Sequence, residues 1–335
     1  MAQSVQAVAY RSSLPIADPE SLFDVEVPVP VPLARDLLVR VHAVSVNPVD
    51  VKRRLGSDPA GQVRILGWDA AGVVEAVGSE VSMFAVGDEV YYAGAIDRPG
   101  TNAQLHVVDE RIVGAKPCEL SFSEAAALPL TALVAWESLF DRFRLTPESM
   151  GTLLVLGAAG GAGSMVVQLA RALTGVEVVG TASTPESQKW VLGLGAHDVI
   201  DHHDLAAQVK AAVPNGVDYL FSTHSAGNVD AFAEILVPGG EITAIDDPEN
   251  LDLMPLKAKS ITWHWELMFT RSLFQTSDMV VQHDVLDTVA ELVDAGTVRT
   301  TMTNELKPFN ATTMRHAHRL IESGHTVGKV VVAGF

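Results

Sequence analysis

The sequence predicts an α/β fold in which a β-rich domain is joined to a doubly wound parallel sheet covered by helices. Three observations predict it. Up to residue 125, short apolar or alternating runs are separated by Gly, Pro and Asp. From Leu153 onward, β-branched runs alternate with helical segments, the signature of βαβ units. A glycine-rich turn joins the first of those runs to a helix. The length of 335 residues and the 48% apolar content supply about two packed domains and exclude a disordered chain.

In the first region, Leu37–Val44 and Gly72–Val77 read as strands bounded by turn residues. Pro28, Pro30 and Pro32 alternate with valine, which suits an extended connection or an edge strand. Ser123 to Leu128 opens a helix. Parallel strands are then expected at Leu153–Leu156, Val176–Gly180, Asp198–Ile200, Val217–Phe221 and Glu241–Ile245, with a sixth over Ser260–Trp265. An amphipathic helix is expected from Asp278 to Ala295, stopped by Gly296. A last helix over Ala311–Ser323 precedes a terminal strand at Lys329–Ala333.

Charge and cysteine content exclude several functions. Lys and Arg number 23 against 41 Asp and Glu, a formal charge of −18. Such a surface lacks the positive face that nucleic acid or anionic membrane requires. The longest apolar stretch, Ala125 to Trp136, is too short to cross a bilayer and contains Pro129. The first residues have neither a basic segment nor a long apolar one, so the expected location is cytoplasmic. The single cysteine, Cys118, cannot form an intrachain disulfide or a cysteine-based zinc site, and reads as an inert buried thiol. A metal would need His and carboxylate ligands. His202 and His203 are adjacent and expected to point to different sides, while His316 and His318 are two apart on a helix.

The turn is the strongest motif. Leu153-Leu154-Val155-Leu156 runs into Gly157-Ala158-Ala159-Gly160-Gly161-Ala162-Gly163 and then a helix. Absent side chains let a pyrophosphate approach the backbone at the partly positive helix N-terminus. The dinucleotide fingerprint falls on Ala158 to Gly163, with alanine at its first glycine place, and it identifies the second domain as a Rossmann fold. Ala159, Gly160, Gly161, Ala162 and Gly163 are the candidate phosphate contacts. Past the second strand, an NAD-binding chain typically carries Asp or Glu for the ribose 2′-hydroxyl. Here stand Ser183 and Thr184, with His202 or His203 and Lys189 as nearby cations. The absence of a carboxylate favours NADP over NAD.

Taken with Asn47-Pro48-Val49-Asp50-Val51-Lys52, Leu66-Gly67-Trp68-Asp69 and Val86-Gly87-Asp88-Glu89-Val90-Tyr91, this organisation resembles the medium-chain dehydrogenase/reductase superfamily over essentially the whole chain. The nearest branch is quinone oxidoreductase-like, and within it the zinc-type alcohol dehydrogenase-like family, whose most specific mark here is Trp263 to Thr276. The resemblance implies a GroES-like catalytic domain in residues 1–125, a Rossmann domain in 126–270, and a return segment in 271–335 that completes the first. Zinc alcohol dehydrogenases carry cysteine where this chain has Asn47 and a His–Glu pair where it has Trp68-Asp69, and they add a four-cysteine lobe. No zinc is therefore expected.

The resemblance further implies hydride transfer from NADPH to a quinone or an α,β-unsaturated carbonyl. Asn47 could donate a hydrogen bond to the charge developing on the acceptor oxygen, and Lys52 a charge-assisted one or a proton. The plainer readings are a helix cap for Asn47 and, for Lys52, Arg53 and Arg54, a solvated cationic face. Thr131, Thr223, Ile245 and Lys329 match family positions that approach the cofactor. Trp263-His264-Trp265 suits a covered strand or an edge that pairs with a second subunit, and a homodimer is the favoured reading. The rival functions are an NADP-dependent alcohol dehydrogenase and a low-turnover cofactor-binding sensor or structural protein.

Overall fold

A computed structural model describes residues 4–335, and the chain divides into two compact units. The first runs to Leu130 and resumes at Phe269; the second is Thr131–Met268. The first part of unit one contains β1 (Ser4–Tyr10), β2 (Phe23–Pro28), β3 (Asp36–Val46), α1 (Pro48–Gly56), β4 (Arg64–Ile65), β5 (Asp69–Val77), β6 (Glu89–Tyr92), β7 (Leu105–Asp109), β8 (Val113–Ala115) and α2 (Phe122–Ala126). Strand β1 lies between β2 and β4 in a small sheet. Ser121 opens α2 with a capping box, its hydroxyl accepting from the Glu124 N–H and the Glu124 carboxylate accepting from the Ser121 N–H.

The second unit begins within α3 (Pro129–Trp136), followed by a π-helical segment at Glu137–Arg142. Then come β9 (Thr152–Val155), α4 (Gly161–Leu173), β10 (Glu177–Thr181), α5 (Pro185–Gly193), β11 (Asp198–Ile200), α6 (Leu205–Ala212), β12 (Val217–Ser222), α7 (Val229–Ile235), β13 (Leu236–Ala244) and β14 (Thr262–Trp265). The strands form one parallel sheet in the order β11-β10-β9-β12-β13-β14. The chain thus leaves the centre at β9, reaches one edge at β11, and returns to build the other half from β12. All four residues of β9 are buried, which explains the unbroken apolar run. Leu154, Val179, Leu220, Phe232 and Ile242 share one core cluster. Strand β13 starts earlier than its apolar pattern suggests. It takes in Gly239, at φ +79°, and its pairing with β12 shifts register there.

The return segment supplies α8 (Thr270–Leu273), α9 (Val281–Asp294), β15 (Met302–Leu306), α10 (Ala311–Glu322) and β16 (Lys329–Ala333). Gly296, at φ +72°, follows α9, and the Asn310 side chain caps α10 by accepting from the Thr313 N–H at 2.9 Å. The large sheet of this unit runs β15-β16-β3-β5-β6-β8, with β7 also on β3. The α/β class, with a small antiparallel sheet and a large, mostly antiparallel one in unit one and a parallel sheet in unit two, is the class the sequence predicts. Among the described residues, no helix is long and apolar enough to cross a membrane. Cys118 corrects an expectation. It is exposed, because the Asp294 carboxylate on α9 holds the backbone N–H groups of Cys118 and Glu119 at 3.1 Å, in a surface loop.

Candidate active site and cofactor site

Strand register builds the polar centre of unit one. Antiparallel pairing sets Val330 of β16 against Val46 of β3, and Ser45 of β3 against Asp69 of β5. The residue after β3, the first of β5 and the first of β16 therefore meet at one end of the sheet: Asn47, Asp69 and Lys329. The Asn47 amide nitrogen donates to Asp69 Oδ2 at 2.8 Å and to the Ser45 carbonyl at 3.4 Å. Its amide oxygen accepts from the Lys329 ammonium, which also donates to Asp69 Oδ2 at 3.1 Å and the Val46 carbonyl at 3.3 Å. Asp69 Oδ1 accepts from the Leu130 N–H at 2.7 Å. All three side chains are buried, Asn47 at 1% exposure, Asp69 at 0% and Lys329 at 3%.

Asp50 lies in the same centre. Its Oδ2 accepts from the Asn47 N–H at 2.8 Å, at the start of α1, while its Oδ1 is buried without a hydrogen-bond partner. Burial pushes this carboxyl up to about 7, against the opposing pull of the Asn47 N–H and the Lys329 charge. Of the two residues proposed from sequence for chemistry, Asn47 is thus inside the cluster with both ends of its amide engaged. Lys52 is exposed on α1. The cationic face expected at Lys52, Arg53 and Arg54 is only partly a face. Arg54 is fully buried, donating to the Leu14 carbonyl and to Glu322 on α10, because its position turns it towards α10.

In unit two the glycine turn sits where the strand order reverses, between β9 and β12, the crevice position at which such sheets bind ligands. Gly160 caps α4, a helix of thirteen residues. A Cβ on Gly160 would meet only the Gly157 carbonyl, at 3.5 Å, so the backbone there is open to an approaching group. A Cβ on Gly163 would come within 2.3 Å of the Gly157 carbonyl, so glycine is required for the helix to pack on the turn. The tight-turn glycine is Gly157, at φ +78°, with Thr223 Oγ1 standing where its Cβ would go. The fingerprint reading began one residue later, at Ala158, and missed it. Its signal was its place directly after the buried strand. Ala159, Gly160, Gly161 and Ala162 are partly exposed.

The remaining candidates of this unit follow the carboxyl ends of its strands. Thr223 follows β12 and donates to the Leu156 carbonyl at 3.1 Å; Ile245 follows β13. Thr131 is buried on α3. Ser183 and Thr184 follow β10, exposed, with the Thr184 hydroxyl capping α5. The Ala182 N–H donates to the Ile200 carbonyl at 3.0 Å, which brings their loop beside the one carrying His202. His202 and His203 do not diverge as expected. Their rings stack at 4.4 Å, drawn to one carboxylate, and His203 Nδ1 lies 2.6 Å from Asp201 Oδ1. Among the described residues this trio is a grouping whose ligand atoms could meet one metal ion. Lys329, the remaining cofactor candidate, belongs to the buried centre of unit one.

Family models match in two blocks, the alcohol dehydrogenase GroES-like domain at residues 34–136 and the zinc-binding dehydrogenase at 194–332. A zinc-type alcohol dehydrogenase-like protein of Staphylococcus epidermidis is 36% identical over 98% of this chain and 99% of its own. The chain belongs to the medium-chain dehydrogenase/reductase superfamily, in its quinone oxidoreductase-like branch. A quinone oxidoreductase of Pongo abelii is 32% identical over 69% of this chain and 70% of its own. A Rhizobium etli crystal structure, described as that of a zinc-dependent alcohol dehydrogenase, superposes with a TM-score of 0.96 at 49% identity, covering 100% of this chain and 99% of that one.

The names of these superfamily members raise zinc, and the residues present do not fit it. At the places where the resemblance to zinc alcohol dehydrogenases leads one to expect ligands stand Asn47, Trp68 and Asp69, with no thiolate or imidazole among them. Trp68 is 4% exposed and its indole N–H donates to the Ala95 carbonyl at 3.3 Å. The Lys329 ammonium already neutralises Asp69. A nicotinamide dinucleotide, in contrast, fits unit two: the open Gly160 backbone, the Gly157 and Gly163 packing and the α4 N-terminus supply what a pyrophosphate needs.

Proposed function

We propose that this oxidoreductase is zinc-independent and transfers hydride from NADPH to a quinone or an α,β-unsaturated carbonyl. The observation that carries the reading is the dinucleotide turn at the switch point of the parallel sheet of unit two, in a chain whose unit one holds a polar centre built around a lysine. The bound dinucleotide supplies the hydride. Ala159, Gly161, Ala162 and Gly163 would hold its phosphates with backbone N–H groups at the start of α4, while Gly160, whose own N–H is donated to the Gly157 carbonyl at 3.1 Å, leaves room for them to approach. Ser183, Thr184 and His202 take the 2′-phosphate: no carboxylate stands directly after β10 where an NAD-binding chain carries one, and the Asp201 carboxylate of the neighbouring loop is engaged by His203. Thr131, Thr223 and Ile245 act at the cofactor from unit two; Lys329, matched to a cofactor position by the resemblance, organises the polar centre of unit one instead.

Quinones and enones share a conjugated carbonyl, so hydride addition places negative charge on oxygen. Lys52 is the exposed donor for that charge or for the final proton. Asn47 is engaged at both ends and contributes as a positioning residue, keeping α1 fixed on the end of β3. The protein acts as a homodimer on a small-molecule substrate.

The test follows NADPH oxidation with a panel of quinones and enones in the presence of a chelator. Turnover should persist, with NADPH preferred to NADH, and Lys52→Ala should lower kcat by about 10²-fold, the lower end of what one proton donor contributes. Loss of turnover on chelation with recovery on adding zinc would overturn the reading. Alcohol-dependent reduction of NADP would favour the dehydrogenase instead. Tight NADPH binding without turnover across the panel would favour a sensor.

A further inference from the structure

We infer that the ammonium of Lys329 is the resident cation of the polar centre, and that it makes this centre refuse a metal ion. A lysine ammonium has three N–H donors. Here it has three acceptors within the cluster: the Val46 carbonyl, Asn47 Oδ1 and Asp69 Oδ2. Its hydrogen-bonding capacity is filled, and at 3% exposure water does not compete for it.

Two features then act against zinc. The donors around the ammonium are all oxygen, from a backbone carbonyl, an amide and a carboxylate, whereas zinc sites are built mainly on sulfur and imidazole. The second feature is tethering. An ion approaching Asp69 Oδ2 would have to displace a positive charge that is covalently attached and cannot be diluted away. The Asp69 carboxylate is also spent in other directions, its Oδ1 on the Leu130 N–H at 2.7 Å and its Oδ2 on the Asn47 amide at 2.8 Å.

The arrangement also explains why Asn47 and Asp69 stand in a buried centre at all. Each needs a counter-group: Asp69 would be an uncompensated buried carboxylate without the ammonium, and Asn47 Oδ1 would lose its donor. Asp50 ties the start of α1 to the same centre, its Oδ2 accepting from the Asn47 N–H at 2.8 Å. Lys329 is therefore a positioning residue, acting through Asn47 and Asp69 on the end of β3 and the start of α1.

The inference is read by unfolding and metal content, so its failure is distinguishable from failure of the quinone or enone reading, which is read by turnover. Removing the side chain beyond Cβ in Lys329→Ala leaves a hole of the size of propylammonium, lined by three oxygens. Lys329→Ala should unfold at a lower temperature than the wild type and regain part of the loss, saturably, with propylammonium. Sodium or tetramethylammonium at equal ionic strength should not restore it, since neither has an N–H to donate. The double variant Asp69→Asn/Lys329→Met should be more stable than either single variant, because no charge is left unpaired. Zinc dialysis of the otherwise native chain carrying His202→Ala and His203→Ala, which removes the surface imidazoles, should leave it without a stoichiometric ion. Stoichiometric zinc in that chain, abolished by Asp69→Asn, would overturn the inference. So would a Lys329→Met variant as stable as the wild type, or a double variant no better than the singles together with no recovery in propylammonium. Should Lys329→Ala fail to fold, the zinc dialysis and the Met and Asn variants still decide it.

Discussion

Asp50 shows how a single buried carboxyl couples the polar centre to pH. Its carboxyl is raised from 3.8 to about 7, chiefly by burial, and the Asn47 N–H and Lys329 only partly offset this. A folded-state value above the unfolded one means that the contribution to stability is complete below about pH 4 and is lost as pH rises through about 7. One proton gives a slope of about 1.4 kcal/mol per pH unit across that window. Asp50→Asn keeps an acceptor for the Asn47 N–H and removes the proton. Its denaturant-measured stability should therefore lose this slope relative to the wild type, and parallel profiles for the two proteins would contradict the assignment. The sequence made Asn47 and Lys329 visible as chemistry-bearing residues separately. It did not show that they touch, because their meeting depends on the register of β16 on β3 and of β3 on β5, which pairs residues far apart in sequence.

At the level of elements, the central parallel strands β9 and β10 were legible because they are buried on both faces and so read as short apolar runs, while the edge strand Asp198–Ile200, with only its last residue buried, has the expected bounds. The π-helical segment was not legible. Glu137-Ser138-Leu139-Phe140-Asp141-Arg142 has an ordinary helical composition, with nothing in it to announce a widened turn. Glu137 at its start and Glu266, the residue after β14, are both buried carboxyls that face each other, and Arg142 Nη2 lies 3.1 Å from Glu266 Oε2. Burial first, and then the Glu137 charge, drive the Glu266 carboxyl far above the usual carboxylate range, so the pair holds a proton near neutrality. Because the folded-state value is raised, stability falls as pH climbs from the acidic into the alkaline range. Glu266→Gln imitates the protonated form. Thermal unfolding of this variant should exceed that of the wild type by a margin that widens from pH 6 to pH 9, by several degrees; a constant margin would mean that the proton is not held there.

For the whole molecule, the argument turns on an edge. Strand β14 pairs with β13 on one side, and Trp265, its last residue, is 53% exposed, with Leu267 beyond it at 48%. The Trp263 and Trp265 rings meet at 5.3 Å on one face of the strand, while His264 on the other face lies 2.8 Å from Glu241 Oε2. An open strand edge flanked by an exposed indole invites pairing with a second copy, which would complete the backbone hydrogen bonds and cover the ring. The alternation Trp-His-Trp announced a strand in the sequence, yet whether its outer edge is covered is a property of the assembled sheet. Each chain carries a formal charge of −18, so two copies repel one another at long range. Added salt shortens that repulsion, to a screening length of about 8 Å near 0.15 M, without touching backbone hydrogen bonds or apolar contact. Light scattering on the eluting protein should therefore find a dimer that tightens as sodium chloride is raised. Trp265→Glu, which puts a charge at the contact, should shift the protein to monomer while unit two keeps its NADPH affinity, since the glycine turn lies at the centre of the sheet and β14 at its rim. A dimer that survives Trp265→Glu, or one that loosens in salt, would move the interface away from β14.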